Sequence, residues 1–283
     1  MSHGEVFPSQ ENDCLAVEEL EQRSLLSGMG PSRSLLAGAA LSTHAATVSG
    51  ALPGLSMITS ASPTFNSANF DPEQQITNPY VRFLPSTTFM YTGIKDGQPM
   101  TDVITVTFQT KMIVGVTTTV VTDVAFVNGQ LAEQTTDWYA QDKQGNVWYF
   151  GENTAEYQNG KVVSTEGTWR AGVKRAQPGI VMEANPIVGD VYQQEFAPNV
   201  AQDMAAVQSL NAKVTVTAGT FKNCLQTQET SPLEPGFVEN KFYASGVGFL
   251  ESLTVQGGNE SLQLVSVTQN GNGAIQLKHD GGF

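Results

Sequence analysis

The residues best suited to chemistry crowd into one stretch. Asp137, Asp142, Glu152 and Glu156 stand among Trp138, Tyr139, Trp148, Tyr149, Phe150 and Tyr157. Aromatic faces beside carboxylates suit a sugar ring or an organic cation. The candidate ligand-binding set is Trp138, Tyr139, Glu152 and Glu156, with Trp148 assigned to the core. Paired carboxylates at a defined separation, one of them kept protonated, would also serve a glycan hydrolase. Glu152 with Glu156, or Glu195 with Asp137, are the pairs available, and Asp190, Glu195 and Asp203 form a sparser acidic group. Against both readings stands a plainer one, in which cross-strand aromatics build a hairpin and its core and the carboxylates sit on solvated faces.

Other chemistries are removed by what the chain lacks. Its three histidines are His3, His44 and His279, so nothing between residues 45 and 278 can act as the base of a Ser-His-Asp or Cys-His arrangement. His-rich zinc or copper sites fail for the same reason, and two cysteines, Cys14 and Cys224, are too few for a thiolate metal site or a disulfide framework. No Gly-rich phosphate loop or dinucleotide fingerprint is present. Asp142-Lys143-Gln144-Gly145-Asn146 lacks the spaced ligands of a calcium loop and reads as a turn. No cofactor and no metal is implied. With 14 Lys and Arg against 27 Asp and Glu, a net charge of -13, phosphate backbones would be repelled, which excludes nucleic acid.

The elements that position these residues read as antiparallel β. Asp96-Gly97, Asn128-Gly129, Gly145-Asn146 and Asn159-Gly160 separate stretches rich in Val, Thr and aromatics, and such pairs favour the positive φ of tight hairpins. Ile104, Val106 and Phe108 alternate with threonines, and Val120, Val124 and Phe126 share a face. Further strand-like pieces include residues 213–217, 221–230, 238–244, 248–255 and 260–268. Between Ala197 and Leu210 the pattern changes: Val200, Met204, Val207 and Leu210 fall at helical spacing after Pro198, which predicts one short amphipathic helix. The expected fold is all-β with one short helix, a strongly curved antiparallel sheet or half-barrel clasping that helix; a two-sheet β-sandwich is the alternative.

Residues 1–75 differ in kind: rich in Ser, Ala and Gly, they read as a disordered tail with a short helical stretch near Leu15–Leu26 and no run long enough for a transmembrane anchor. Residues 76–270 form the single β-rich domain, and 271–283 read as a frayed end. Cys224, between Phe221 and Leu225, is expected as a buried thiol.

Two resemblances follow from particular residues. Leu20-Glu21-Gln22-Arg23-Ser24-Leu25-Leu26-Ser27 resembles the Leu-Glu-x-Arg-x-Leu-Leu-Ser box near the N-termini of exported and surface proteins of planctomycete-type bacteria, which implies export. The body resembles a family of secreted bacterial all-β proteins without an assigned function. The residues concerned are Asn78-Pro79-Tyr80 with Leu84-Pro85, the runs Asp137–Asp142 and Gly145–Glu152, and then Gly219–Cys224 and Tyr243–Gly248. The reading as a whole is an exported non-catalytic β module, extracellular or in the cell envelope. Its ligand would be an unknown small molecule or glycan. The alternative is a carboxylate-dependent glycan hydrolase or lyase.

Overall fold

The computed structural model describes residues 63–270. The export-associated box, the stretch near Leu15–Leu26, Cys14, all three histidines and the expected frayed end lie outside the described residues. Six strands open the domain as a meander: β1 (Thr87–Lys95), β2 (Gln98–Ile113), β3 (Val116–Val127), β4 (Gln130–Gln141), β5 (Val147–Gln158) and β6 (Lys161–Ser164). Four short ones follow, β7 (Trp169–Arg170), β8 (Gln177–Met182), β9 (Val191–Gln193) and β10 (Glu195–Phe196). A second meander ends the domain, with β11 (Met204–Val216), β12 (Gly219–Thr230), β13 (Val238–Ala244), β14 (Gly248–Gln256) and β15 (Ser261–Gln269). All pair antiparallel in one sheet of order β10-β8-β5-β4-β3-β2-β1-β15-β14-β13-β12-β11-β9, with β6 and β7 also on β5.

Turn chemistry sets the first meander. At Asp96-Gly97, Asn128-Gly129 and Asn159-Gly160 both residues have positive φ, between 50° and 74°, as a type I′ turn requires. The Gly145-Asn146 turn is built differently. Asp142 Oδ1 accepts from the backbone N–H groups of Gln144 and Asn146, and its Oδ2 accepts from Asn146 Nδ2 and Trp148 Nε1. One carboxylate thus shapes the loop and anchors the tryptophan beyond it.

The sheet curls because its ladders are interrupted. Register breaks occur at Met90/Tyr91, Val106/Thr110, Ala125/Phe126, Asp137/Tyr139 and Glu156/Tyr157, and each such irregularity bends a strand and adds twist. The two ends of the sheet, β9 and β10, are separated in sequence by Gln194 alone, so the curl brings its edges together without joining them through a ladder. β8 passes close to this crossing. A Cβ on Gly179 would lie 2.2 Å from the Gln194 carbonyl oxygen, a distance only glycine permits.

Three expectations need correction. Residues 197–210 form no helix: after a bridge between Ala197 and Ala201 they enter β11, and the buried positions are Ala197, Ala201, Asp203, Ala205 and Val207. Period two prevailed over the helical spacing because small side chains, not the larger Val200, Met204 and Leu210, face inward. The sheet is single, so there is no sandwich of two sheets. Phe108 is 78% exposed, since the Val106/Thr110 break takes it off the face that buries Ile104 and Val106. On β3 the buried row is Val121, Asp123 and Ala125, while Val124 and Phe126 are only half-buried.

What packs against the β4–β5 hairpin is the segment leading into β1. Phe65 and Phe70 meet Trp148 and Phe150 at centroid distances of 5.7–6.0 Å, and Phe83 meets Tyr139 at 5.2 Å. Gln141 Oε1 accepts from the N–H groups of Thr77 and Asn78, and Asn78 Nδ2 donates to the carbonyls of Gly145 and Glu183. Residues 65–75, which the sequence reading places in the tail, therefore carry part of the core. Cys224 is buried and free.

Two measurements test this account. Phe70→Ala should lower stability by about 3 to 5 kcal/mol in chemical denaturation, as truncation of a packed phenylalanine does, and should be non-additive with Trp148→Ala because the rings touch. A loss below about 0.5 kcal/mol, typical of surface substitutions, would show the segment to be a mere surface strap. Gly179→Ala should cost on the order of 1 to 3 kcal/mol through overpacking against the crossing, and unchanged stability would mean that the close approach is not there.

Candidate functional site

On strands β2 to β5 the alternation that buries apolar residues also buries acids. Asp102 on β2, Asp123 on β3, Glu133 and Asp137 on β4 and Glu152 on β5 are all less than a tenth exposed. The register makes them neighbours. Asp123 lies opposite Thr135, Glu133 and Asp137 flank Thr135 by two residues each, and Asp137 lies opposite Glu152. Thr135 donates to Glu133 Oε1 at 3.0 Å or to Thr154 Oγ at 2.7 Å, and Tyr149 donates to Asp137 Oδ1 at 2.6 Å. Beside this row, Gln194 Nε2 donates to Glu229 Oε1, and Glu229 pairs with the buried Lys241 ammonium at 2.7 Å.

Electrostatics follow from crowding. Burial above all raises the Asp102 carboxyl to about 7; a hydrogen bond with Asp123 works against this, while Glu133 and Asp137 add to it. Glu152 is pushed well above the usual carboxylate range by burial and then by Asp137, Glu133, Asp203 and Asp123. Burial raises Tyr139 and Tyr149 as well, with Asp137 and Glu152 contributing.

Next to this row a cavity of about 700 Å³ opens. Its walls come from the far end of β2 (Gln109, Thr110, Lys111), from β3 to β5 (Val120, Thr136, Trp138, Glu152, Asn153), from β7 with the turn after it (Thr168–Arg170, Val173, Lys174, Ala176), and from Ala197, Pro198 and Val200 beyond the crossing. The Lys111 ammonium sits over the Trp138 ring, 3.6 Å from its centroid. Glu152 Oε1 and Trp169 Nε1 are buried without a hydrogen-bond partner. The walls therefore combine apolar surface, cations and two unsatisfied polar atoms, the usual ingredients of a small-molecule site.

The predicted site residues part company here. Trp138 and Glu152 share the cavity. Tyr139 lies outside it, stacked on Tyr149 at 4.6 Å and 20°. Glu156 lies four residues along β5 opposite Glu133, also outside it. Glu152 has Asp137, not Glu156, as its cross-strand neighbour. Sequence reasoning missed Lys111, Trp169, Arg170 and Lys174. Their proximity depends on β7 returning to β5 at Gly151 and Glu152, a pairing of two residues that no periodicity announces.

No protein-family model and no curated protein matches this chain. Two solved structures are similar to it in part. One is a predicted exported protein with a YmcC-like fold from Bacteroides fragilis, at 13% identity and a TM-score of 0.40, covering 67% of this chain and 99% of its own. The other is a predicted lipoprotein from Parabacteroides distasonis, at 12% identity and a TM-score of 0.37, covering 69% of this chain and 100% of its own. At this level of superposition the likeness transfers neither site nor activity. Among the described residues, no helix is long and apolar enough to cross a membrane.

The raised Asp102 value has a measurable consequence. The folded protein keeps a proton on Asp102 up to about pH 7 that the unfolded chain releases near pH 4. Stability therefore falls as pH rises through that window and levels off above it. Asp102→Asn should flatten the fall by on the order of a few kcal/mol, read as denaturation midpoints from pH 4 to 8. A variant profile parallel to the wild type would show that Asp102 is not the group responsible.

Proposed function

We propose that the chain is an exported, non-catalytic binding module whose ligand occupies the cavity between Trp138, the turn after β7 and the segment after β10. Export is supported by the Leu-Glu-x-Arg-x-Leu-Leu-Ser resemblance and by a composition poor in charge, at 14% Asp, Glu, Lys and Arg. The observation that carries the binding role is the open cavity, two of whose lining residues, Glu152 and Trp169, each hold a buried polar atom, Oε1 and Nε1, without a hydrogen-bond partner. Buried polar atoms without partners cost stability, and two of them on residues that line an opening gain from a ligand that can hydrogen-bond them.

The hydrolase alternative asks for two carboxylates flanking the reacting bond. Among the described residues only one carboxylate, Glu152, lines the cavity; Asp137 lies behind it, holding Tyr149. The organic-cation variant of the binding reading is disfavoured too, because the Trp138 face already carries Lys111.

Asn153 is exposed and lines the cavity, so Asn153→Trp should block it without disturbing the core. Tryptophan fluorescence titrations against a panel of neutral and acidic oligosaccharides should show at least one binder for the wild type and a loss of about tenfold or more in its affinity for Asn153→Trp. The reading fails if cleaved sugar accumulates and Glu152→Gln stops it, or if Asn153→Trp binds as the wild type does.

A further inference from the structure

The mouth and the floor of this cavity differ in kind, and together they narrow what fits. Lys111, Arg170 and Lys174 line it, and none of the three forms an ion pair among the described residues. In a chain of net charge -13, three cations around an opening with one carboxylate reverse the prevailing sign. The turn that presents Lys174 is strained to do so. Lys174 and Arg175 both adopt left-handed φ values, 48° and 68°, which side chains other than glycine rarely accept, and bonds from Gly172 N to Ala176 O and from Ala176 N to Val173 O hold them there. Burial first, and then the Arg170 guanidinium, push the Lys111 ammonium below its ordinary value.

The floor offers one acceptor and one donor, Glu152 Oε1 and Trp169 Nε1, both on side chains more than nine-tenths buried. The two residues are register partners on β5 and β7, and a hydroxyl group has both halves of what they lack, a donor for the first and an acceptor for the second. Val120, Val173 and Pro198 supply apolar wall between mouth and floor.

The geometry points to a hydroxyl-bearing organic anion, a sugar acid or a sugar phosphate, as the ligand, with its charge among Lys111, Arg170 and Lys174 and a hydroxyl on Glu152 and Trp169. This rests on the reading of the cavity as a binding site. The shared chemistry is an anionic group on a polyhydroxylated body. A carboxylate and a phosphate are the two forms it can take, and a guanidinium can grip either through two parallel bonds.

Isothermal titration calorimetry with glucuronic acid, glucose 1-phosphate, glucose and inorganic phosphate separates the outcomes. The wild type should bind one or both sugar anions about tenfold or more tightly than glucose, and the tighter of the two identifies the anionic group. The exposed pair Arg170→Gln and Lys174→Gln should remove that preference with the melting temperature unchanged, and Glu152→Gln, which keeps the acceptor, should retain it. If glucose binds as tightly as the anions and the double variant makes no difference, the anionic class is wrong while the cavity stands. Inorganic phosphate binding as tightly as glucose 1-phosphate would overturn the hydroxyl half. If no probe binds the wild type and Asn153→Trp still responds to oligosaccharides as the wild type does, the cavity reading falls with it.

Discussion

The close passage of Gly179 beneath Gln194 is the contact on which the rest of the architecture turns. A sheet this long has two edges, and open edges are templates for unwanted pairing. This chain solves the problem by running from one edge to the other: β9 completes one end, Gln194 crosses, and β10 completes the other. The crossing is tight. The Gln194 N–H donates to the Asp203 carbonyl at 2.8 Å, its side chain reaches Glu229, and β8 has no side chain at Gly179 to keep it away. The segment that leaves the crossing, with Ala197, Pro198 and Val200, then becomes one wall of the cavity. Closure of the fold and construction of the site are thus one event.

Curling a sheet this far has a second consequence, because the strands bury both apolar and acidic residues on the face they turn inward. Among the described residues eleven carboxylates are buried against two lysines, Lys95 and Lys241. Burial alone would push the Lys241 ammonium down, but Glu229, Glu239 and Asp203 outweigh it and hold it raised, so this lysine stays charged and neutralises part of the row. Asp102 and Glu152 take the other route and are driven toward the neutral form. Breaking such a buried pair from one side costs more than the pair itself contributes, since it strands a charge. Polar groups of this kind add little net stability, and what they specify is register: a slip of one residue would carry Asp123 and Asp137 to the other face and bring the half-buried Thr122 and Thr136 in their place.

How far the sequence disclosed all this depends on which interactions are local. The type I′ turns at Asp96-Gly97, Asn128-Gly129 and Asn159-Gly160 were legible because two adjacent residues determine them. The all-β, antiparallel class was legible from alternation and from the turns between the strands. The helix predicted over residues 197–210 was misread because Val200, Met204, Val207 and Leu210 satisfy helical spacing while Ala201, Asp203, Ala205 and Val207 satisfy strand spacing, and the weight given to large side chains hid the second pattern. The inward acids had a signal that was passed over: Glu133, Thr135 and Asp137 alternate as strictly as any apolar row. Of the candidate site, Trp138 and Glu152 were within reach, whereas Tyr139 and Glu156 were chosen for their neighbours in sequence and lie elsewhere.

The two patterns meet at Glu152, which explains why one residue belongs both to the buried row and to the cavity. On β5 a carboxylate at this position faces Asp137 across the ladder, and the left-handed Gly151 before it lets β7 approach, its backbone 2.4 Å from where a Cβ would stand. That approach brings Trp169 and Arg170 to the same wall. Burial, and then the acids behind Glu152, favour its neutral form, and a neutral carboxyl on the floor does not compete with an incoming anion for the three cations at the mouth. The interior charge and the proposed ligand charge are therefore coupled through Glu152: a proton that burial and the acid row favour on this carboxyl removes the one negative charge that the lining would otherwise set beside Lys111, Arg170 and Lys174.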